Sequence, residues 1–385
     1  IPDLNGRFYP TTYAALRDDF TAEDCESYGG TACEEVHTEG PTSQTIDLPS
    51  GWSMFSSYLV SESMDMEDAL ASIIDKVIIA KNNDGKAYLV EWDFNGVGDM
   101  LVGQGYQIKT SEAVTLELTG THASPEAHTI NLVGGWNMIG YLATDARDAK
   151  VVLADINGSG NLVIAKDYNG KAYLPEYDFN GIGDMVPGQG YQMKTNAADV
   201  LSYASGSVRS AAKSVMLEEV KHFEKPSLTD NNMTVVLEDA AWDAIPEEGA
   251  EVAAYDQAGN LIGSAVYSSP VTVMSVWGDD ATTSLKDGLS AAEIAEFKVW
   301  NAEGVKNFNV KDWSKGSAAY TTNAINVASS INTINTIAEL NSSSTKELVK
   351  VVNILGQEVH SNDVSFVGTV FFNIYDDGSV EKIVK

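Results

Sequence analysis

Apolar and polar positions alternate in short runs along most of the chain, and Gly- and Asn-centred turns interrupt them at close intervals. Such period-two runs predict half-buried strands rather than helices. TIDLPSGWSMFSSYL, around Gly51-Trp52, and TINLVGGWNMIGYL, around Gly135-Trp136, each lead into a short strand. VIIAK and KAYLV then flank Asp84-Gly85, and the second occurrence carries Asn169-Gly170 there. Both dipeptides tolerate the left-handed conformations of a tight hairpin turn. One stretch breaks the pattern: Met64 to Ile74 has helical spacing and an acidic first turn, so a short helix is predicted there.

The same pattern occurs twice. Residues 79–109 read IAKNNDGKAYLVEWDFNGVGDMLVGQGYQIK, and residues 164–194 read IAKDYNGKAYLPEYDFNGIGDMVPGQGYQMK. Most positions are identical, so the chain contains a tandem duplication. The second copy drifts between Thr144 and Leu162, where the helical spacing is less clear and Asn157-Gly158-Ser159-Gly160 adds a turn.

Past a Ser/Ala-rich stretch at Ser205–Ser214, MTVVLED, AEVAAYD, NLIGSAVY, VTVMSVWG and AEFKVWN are strands at regular spacing. That spacing predicts an antiparallel sandwich. A Ser/Thr/Asn-rich tract from Ser317 to Thr345 then separates ELVKVVNILGQEV and VFFNIYDDGSVEKIVK, two strand pairs turning at Gly356 and at Asp377-Gly378. The expected fold class is all-β and multi-domain, mainly antiparallel sandwiches, with a short helix within the repeat modules. The divisions are an N-terminal segment 1–44, repeat modules 45–120 and 121–204, a linker 205–226, a sandwich 227–325 and a C-terminal β-domain 326–385.

Charge narrows the function. The formal net charge of -31 speaks against nucleic acid as a partner, because phosphate binding needs clustered Lys and Arg. It also repels anionic membrane surfaces and suits a salty medium. No apolar run approaches the roughly 18 residues a membrane span needs, so direct membrane insertion is not expected. The two cysteines, Cys25 and Cys33, flank Gly29-Gly30, and a local disulfide fits an oxidising, extracellular setting. Starting at Ile1-Pro2-Asp3 with no charged-then-apolar stretch, the chain reads as a processed or excised product.

Candidate chemistry is sparse. Asp93, Asn95 and Asp99, with Asp178, Asn180 and Asp184 in the second copy, place oxygens at alternate positions among glycines, as calcium loops begin. No bidentate Glu follows, and a tight turn explains the same residues. Asp279, Asp280 and Asp287 form a second candidate Ca2+ cluster, or equally a solvated loop. The aromatics Trp52, Tyr88, Trp92, Tyr106, Trp136, Tyr173, Tyr177 and Tyr191 could stack on glycans, although core packing accounts for their recurrence. The five histidines are scattered without ligand spacing, and no nucleophile elbow, phosphate loop or dinucleotide fingerprint is present. No catalytic residue and no cofactor beyond Ca2+ is assigned, and the chain is read as non-enzymatic.

At these residues a resemblance enters. The tandem GW…DFNGxGDMxxGQGYQxKT repeat resembles modules of secreted proteins of Bacteroidetes, and similar modules occur in marine phage structural proteins. NNMTVVLEDAAWDAIPEEGAEVAAYDQAGNLIGSAVY resembles a β-sandwich module of the same secreted proteins. The tail resembles the C-terminal sorting domain of the type IX secretion system, although INTINTIAELNSS lacks the proline that commonly opens such domains. The resemblance implies a secreted, extracellular or cell-surface structural or adhesive protein. Its modules would serve as spacers and assembly or attachment units, with other copies of itself, surface proteins or glycans as partners. Two alternatives stand beside it: a virion fibre or decoration protein of a marine phage, and a carbohydrate-binding module set of a secreted enzyme.

Overall fold

The computed structural model of the protein describes residues 42–203, 218–334, 348–353, 370–375 and 380–384. The Cys25–Cys33 pair, the Gly356 turn and the Asp377-Gly378 turn lie outside the described residues. The chain is all-β, with several antiparallel sheets and short helices. No helix among the described residues is long and apolar enough to cross a membrane.

Module 1 begins with β1 (Thr42–Leu48), β2 (Gly51–Phe55) and β3 (Leu59–Val60). Helix α1 (Met66–Leu70) follows and continues as a 3-10 turn to Lys76. Then come β4 (Val77–Lys81), β5 (Ala87–Leu89), β6 (Phe94–Asn95), β7 (Tyr106–Thr110) and β8 (Val114–His122). They form a five-stranded sheet, β2-β7-β4-β5-β6, and a three-stranded sheet, β1-β8-β3. Leu116, Ile46, Phe55, Tyr106 and Ile108 are buried in one core with Met66 and Leu70 of the helix.

Module 2 repeats this plan. Its strands are β9 (Ile130–Leu132), β10 (Gly135–Gly140), β11 (Arg147–Asp148), β12 (Leu162–Lys166) and β13 (Ala172–Leu174). They continue with β14 (Phe179–Asn180), β15 (Asp184–Met185), β16 (Gly190–Thr195) and β17 (Asp199–Leu201). The sheet order β10-β16-β12-β13-β14 matches that of module 1 strand for strand. The drifted segment holds two short helices, α2 (Ala149–Val152) and α3 (Ala154–Gly158). Drift in sequence spared the cap: Asp148 accepts from Lys150 N as Asp65 accepts from Glu67 N.

The two modules meet reciprocally. Phe55 bridges Gln189, and their counterparts Ile139 and Gln104 bridge in turn. Ser56 N donates to Gly188 O at 2.9 Å, while Gly140 N donates to Gly103 O at 2.8 Å. This is the signature of an isologous contact, here made inside one chain. Glycine permits the approach: a Cβ on Gly105 would stand 2.6 Å from Ile139 O and 3.3 Å from the Gly190 Cα. Gly105→Ala should therefore lower stability by about 1–3 kcal/mol, since only backbone could yield. Gly158→Ala, which meets nothing within 4 Å, should be neutral or slightly stabilising. Comparing the thermal midpoints of the two variants checks this, and equal midpoints would contradict it.

The sandwich contains β18 (Asn232–Glu238), β19 (Glu251–Tyr255), β20 (Leu261–Val266), β21 (Val271–Trp277) and β22 (Glu296–Asn301). β23 (Gly304–Lys315) and β24 (Ile325–Ile334) complete the sheet β20-β19-β22-β23-β24-β18-β21. Its end strands meet at Gly263, where a Cβ would lie 2.6 Å from Ser275 O, so the sheet folds back around one core. Two features depart from the sequence expectation. The Ser/Thr/Asn-rich tract contains β24, an interior strand that runs parallel to β18. Residues 218–226 are not merely linker: buried Glu251 accepts hydrogen bonds from the backbone N–H groups of Lys221, His222 and Phe223. The C-terminal strands β25 (Leu348–Asn353), β26 (Val370–Tyr375) and β27 (Val380–Val384) form one three-stranded sheet with β26 central.

Candidate functional site

Each module carries a tryptophan and two lysines on one face of its five-stranded sheet. Register places them: Trp52 pairs with Lys109 and Lys81 with Gln107, while Trp136 pairs with Lys194 and Lys166 with Gln192. Because side chains alternate across a strand, these residues emerge on one side. Lys81 Nζ lies 4.4 Å and Lys109 Nζ 5.9 Å from the centroid of Trp52. Lys166 and Lys194 stand at 4.7 and 5.7 Å from that of Trp136. Cations over an indole face are attracted by its quadrupole.

The sandwich docks on both faces with different chemistry. Toward module 1 it offers carboxylates: Asp280 Oδ2 accepts from Trp52 Nε1 and Lys109 Nζ, both at 2.7 Å, and Asp230 Oδ2 pairs with Lys81 Nζ at 2.5 Å. Burial pushes the Asp280 carboxyl up, yet the hydrogen bonds from Lys109, Thr282 and Trp52 outweigh it and hold the group below its ordinary range. Toward module 2 it offers amides: Lys166 Nζ donates to Asn232 Oδ1 at 2.8 Å and to Asn323 Oδ1 at 3.3 Å. Lys166 is fully buried, and burial, with Lys194 beside it, lowers its pKa to about 7. Apolar packing surrounds this contact, with Ile164, Ala172, Leu174 and Phe179 buried against Val236, Val271, Ile325 and Val327. β18 is consequently buried on both faces, which explains why its apolar residues do not alternate with exposed polar ones. Where the three units meet, a cavity of about 20 Å³ lies among Trp52, Gln107, Gln192, Asp230 and Asn232, room for about one water.

Several of the calcium candidates hydrogen-bond within the fold. Asn95 Oδ1 accepts from Gly98 N at 2.9 Å and Asn180 Oδ1 from Gly183 N at 3.0 Å, closing equivalent turns. The Nδ2 of each reaches the carboxylate that caps the neighbouring helix, Asp65 or Asp148. Asp93 and Asp178 adopt left-handed conformations, with φ of 47° and 50°, and Asp178 pairs with Lys150. Asp99 and Asp184 are exposed. In the acidic loop, Asp279 Oδ1 accepts from Asp287 N and Asp287 Oδ1 from Asp280 N. Among the described residues no group of three or more His, Cys, Asp or Glu could hold a metal ion.

Of the aromatic set, Trp52, Tyr88, Tyr106, Tyr173 and Tyr191 are buried, and Trp136 and Tyr177 half-buried. Trp92 departs from the packing expectation, being 72% exposed. Sequence reasoning missed the four lysines and their partners Asp230, Asn232 and Asn323. A signal existed for the lysines, which recur at matching positions in a strongly acidic chain. Comparison with protein-family models, with curated proteins and with solved structures finds no match to this chain.

Proposed function

We propose that the chain is a secreted, non-enzymatic structural or adhesive surface protein whose β-modules serve as spacers and as assembly or attachment units. One observation carries the reading. Several of the residues that the duplication repeats join domains: the Gly-Gln-Gly loops join the modules, and the Trp–Lys faces join them to the sandwich. A chain whose most specific motifs are mortar between rigid β-units suits a load-bearing or spacing role.

Fractionating the producing culture, and following the IYDDGSVEKIVK peptide by mass spectrometry, tests the location. Recovery with the cell surface or with extracellular filaments is expected. Confinement to the cytosol would defeat the reading, and enrichment in purified virus particles would transfer it to a virion protein.

A further inference from the structure

The two copies of the repeat use matching outer strands differently. In module 2, Ile164, Ala172, Leu174 and Phe179 are covered by the sandwich, and Tyr177 packs half-buried against the same cluster. Their counterparts in module 1 are Ile79, Ala87, Leu89, Phe94 and Trp92, apolar at every position. None of these is buried. Trp92 is 72% and Phe94 55% exposed, with Ile78 beside them at 42%. The sandwich contacts module 1 through Asp230, Asp280 and Thr282, which engage the Trp52, Lys81 and Lys109 row and, among the described residues, leave the outer strands uncovered.

We propose that this outer face of module 1 is a self-association surface, on which a second copy of the chain docks through the same face. The face continues the module–sandwich interface strand by strand, so it is built to meet another apolar sheet face. It is itself such a face, which makes it self-complementary under a two-fold axis. The same chain already joins its two modules by reciprocal contact. Long-range repulsion between two chains of net charge -31 opposes the encounter, so salt should strengthen it.

Sedimentation velocity of the full chain over a range of protein and NaCl concentrations tests this. A dimer is expected that tightens as salt rises from low to physiological strength. Trp92→Ser with Phe94→Ser should weaken it about tenfold or more. An unchanged circular dichroism spectrum and thermal midpoint would show that the variant folds. A monomer under all conditions, or a dimer indifferent to these substitutions, overturns the proposal. So does Trp92-dependent retention on a polysaccharide column by a chain that stays monomeric, which would give the face to a glycan. The inference rests on the assembly reading above, but the two can fail separately. A surface-located monomer ends the dimer alone, whereas a cytosolic dimer ends the surface reading alone.

Discussion

Asp280→Ala is expected to uncouple module 1 from the sandwich, splitting one thermal unfolding transition into two and lowering the first. Asp280 is 3% exposed and accepts hydrogen bonds from Trp52 Nε1, Lys109 Nζ, Thr282 N and Thr282 Oγ1. Truncation leaves a largely buried ammonium without its counter-charge and an indole N–H without an acceptor. Breaking one partner out of a buried pair costs about 3–5 kcal/mol. Since module 1 and the sandwich have separate cores, the loss falls on their docking rather than on either core. Calorimetry and intrinsic Trp fluorescence read the effect. A variant melting once, at the wild-type temperature, would show that the contact carries no docking energy.

The pH dependence has a definite sign. Because Asp280 titrates below its ordinary value in the folded protein, its contribution is complete above the unfolded carboxylate pKa of about 4. It is lost as pH falls through the lower, folded-state value. Asp280→Ala should therefore remove part of the wild-type acid limb, and its deficit should shrink toward low pH. Asp280→Asn separates charge from shape: it keeps an acceptor for Trp52 while leaving Lys109 uncompensated.

What was legible in the sequence is what depends on near neighbours. Asp84-Gly85 and Asn169-Gly170 announced their hairpins, and the glycines of both dipeptides have positive φ. The five strands read in the sandwich are present, because alternation along a strand reports its own burial. β24 was hidden because Ser329, Ser330, Asn332 and Thr333 give it the composition of a linker. Its place in the sheet instead depends on Ile325, Val327, Ala328 and Ile331 meeting two distant cores. The same limit hid the junction. Nothing near Lys81 in the sequence announces Asp230, and nothing near Lys166 announces Asn232, since docking relates segments far apart in the chain. Trp92 and Tyr177 occupy one motif position, yet one is exposed and the other packs beside the sandwich. The deciding information lies in which copy the sandwich chose.

That choice also sets the second large effect, at Lys166. Its counterpart Lys81 is partly exposed and faces a carboxylate, whereas Lys166 is fully enclosed and faces two amide oxygens. Amide oxygens accept its hydrogen bonds without neutralising its charge, so the native protein binds that proton weakly, with a pKa near 7 against 10.5 for an ordinary lysine. Between those values the unfolded chain holds more protons than the folded one, and stability rises with pH across the window. The slope contributed by this group approaches about 1.4 kcal/mol per pH unit at its steepest. Lys166→Met removes the titration while leaving Asn232 and Asn323 short of a donor, an offset of about 1–3 kcal/mol. The wild-type stability curve should consequently gain on the variant by several kcal/mol between pH 7 and 10. Asn232→Asp is the sharper probe, because it gives Lys166 the partner that Lys81 already has. A carboxylate there should raise the lysine's affinity for its proton and move the rise in stability to higher pH. Parallel curves for wild type, Lys166→Met and Asn232→Asp in chemical denaturation from pH 6 to 10 would mean that the buried amine keeps an ordinary affinity for its proton.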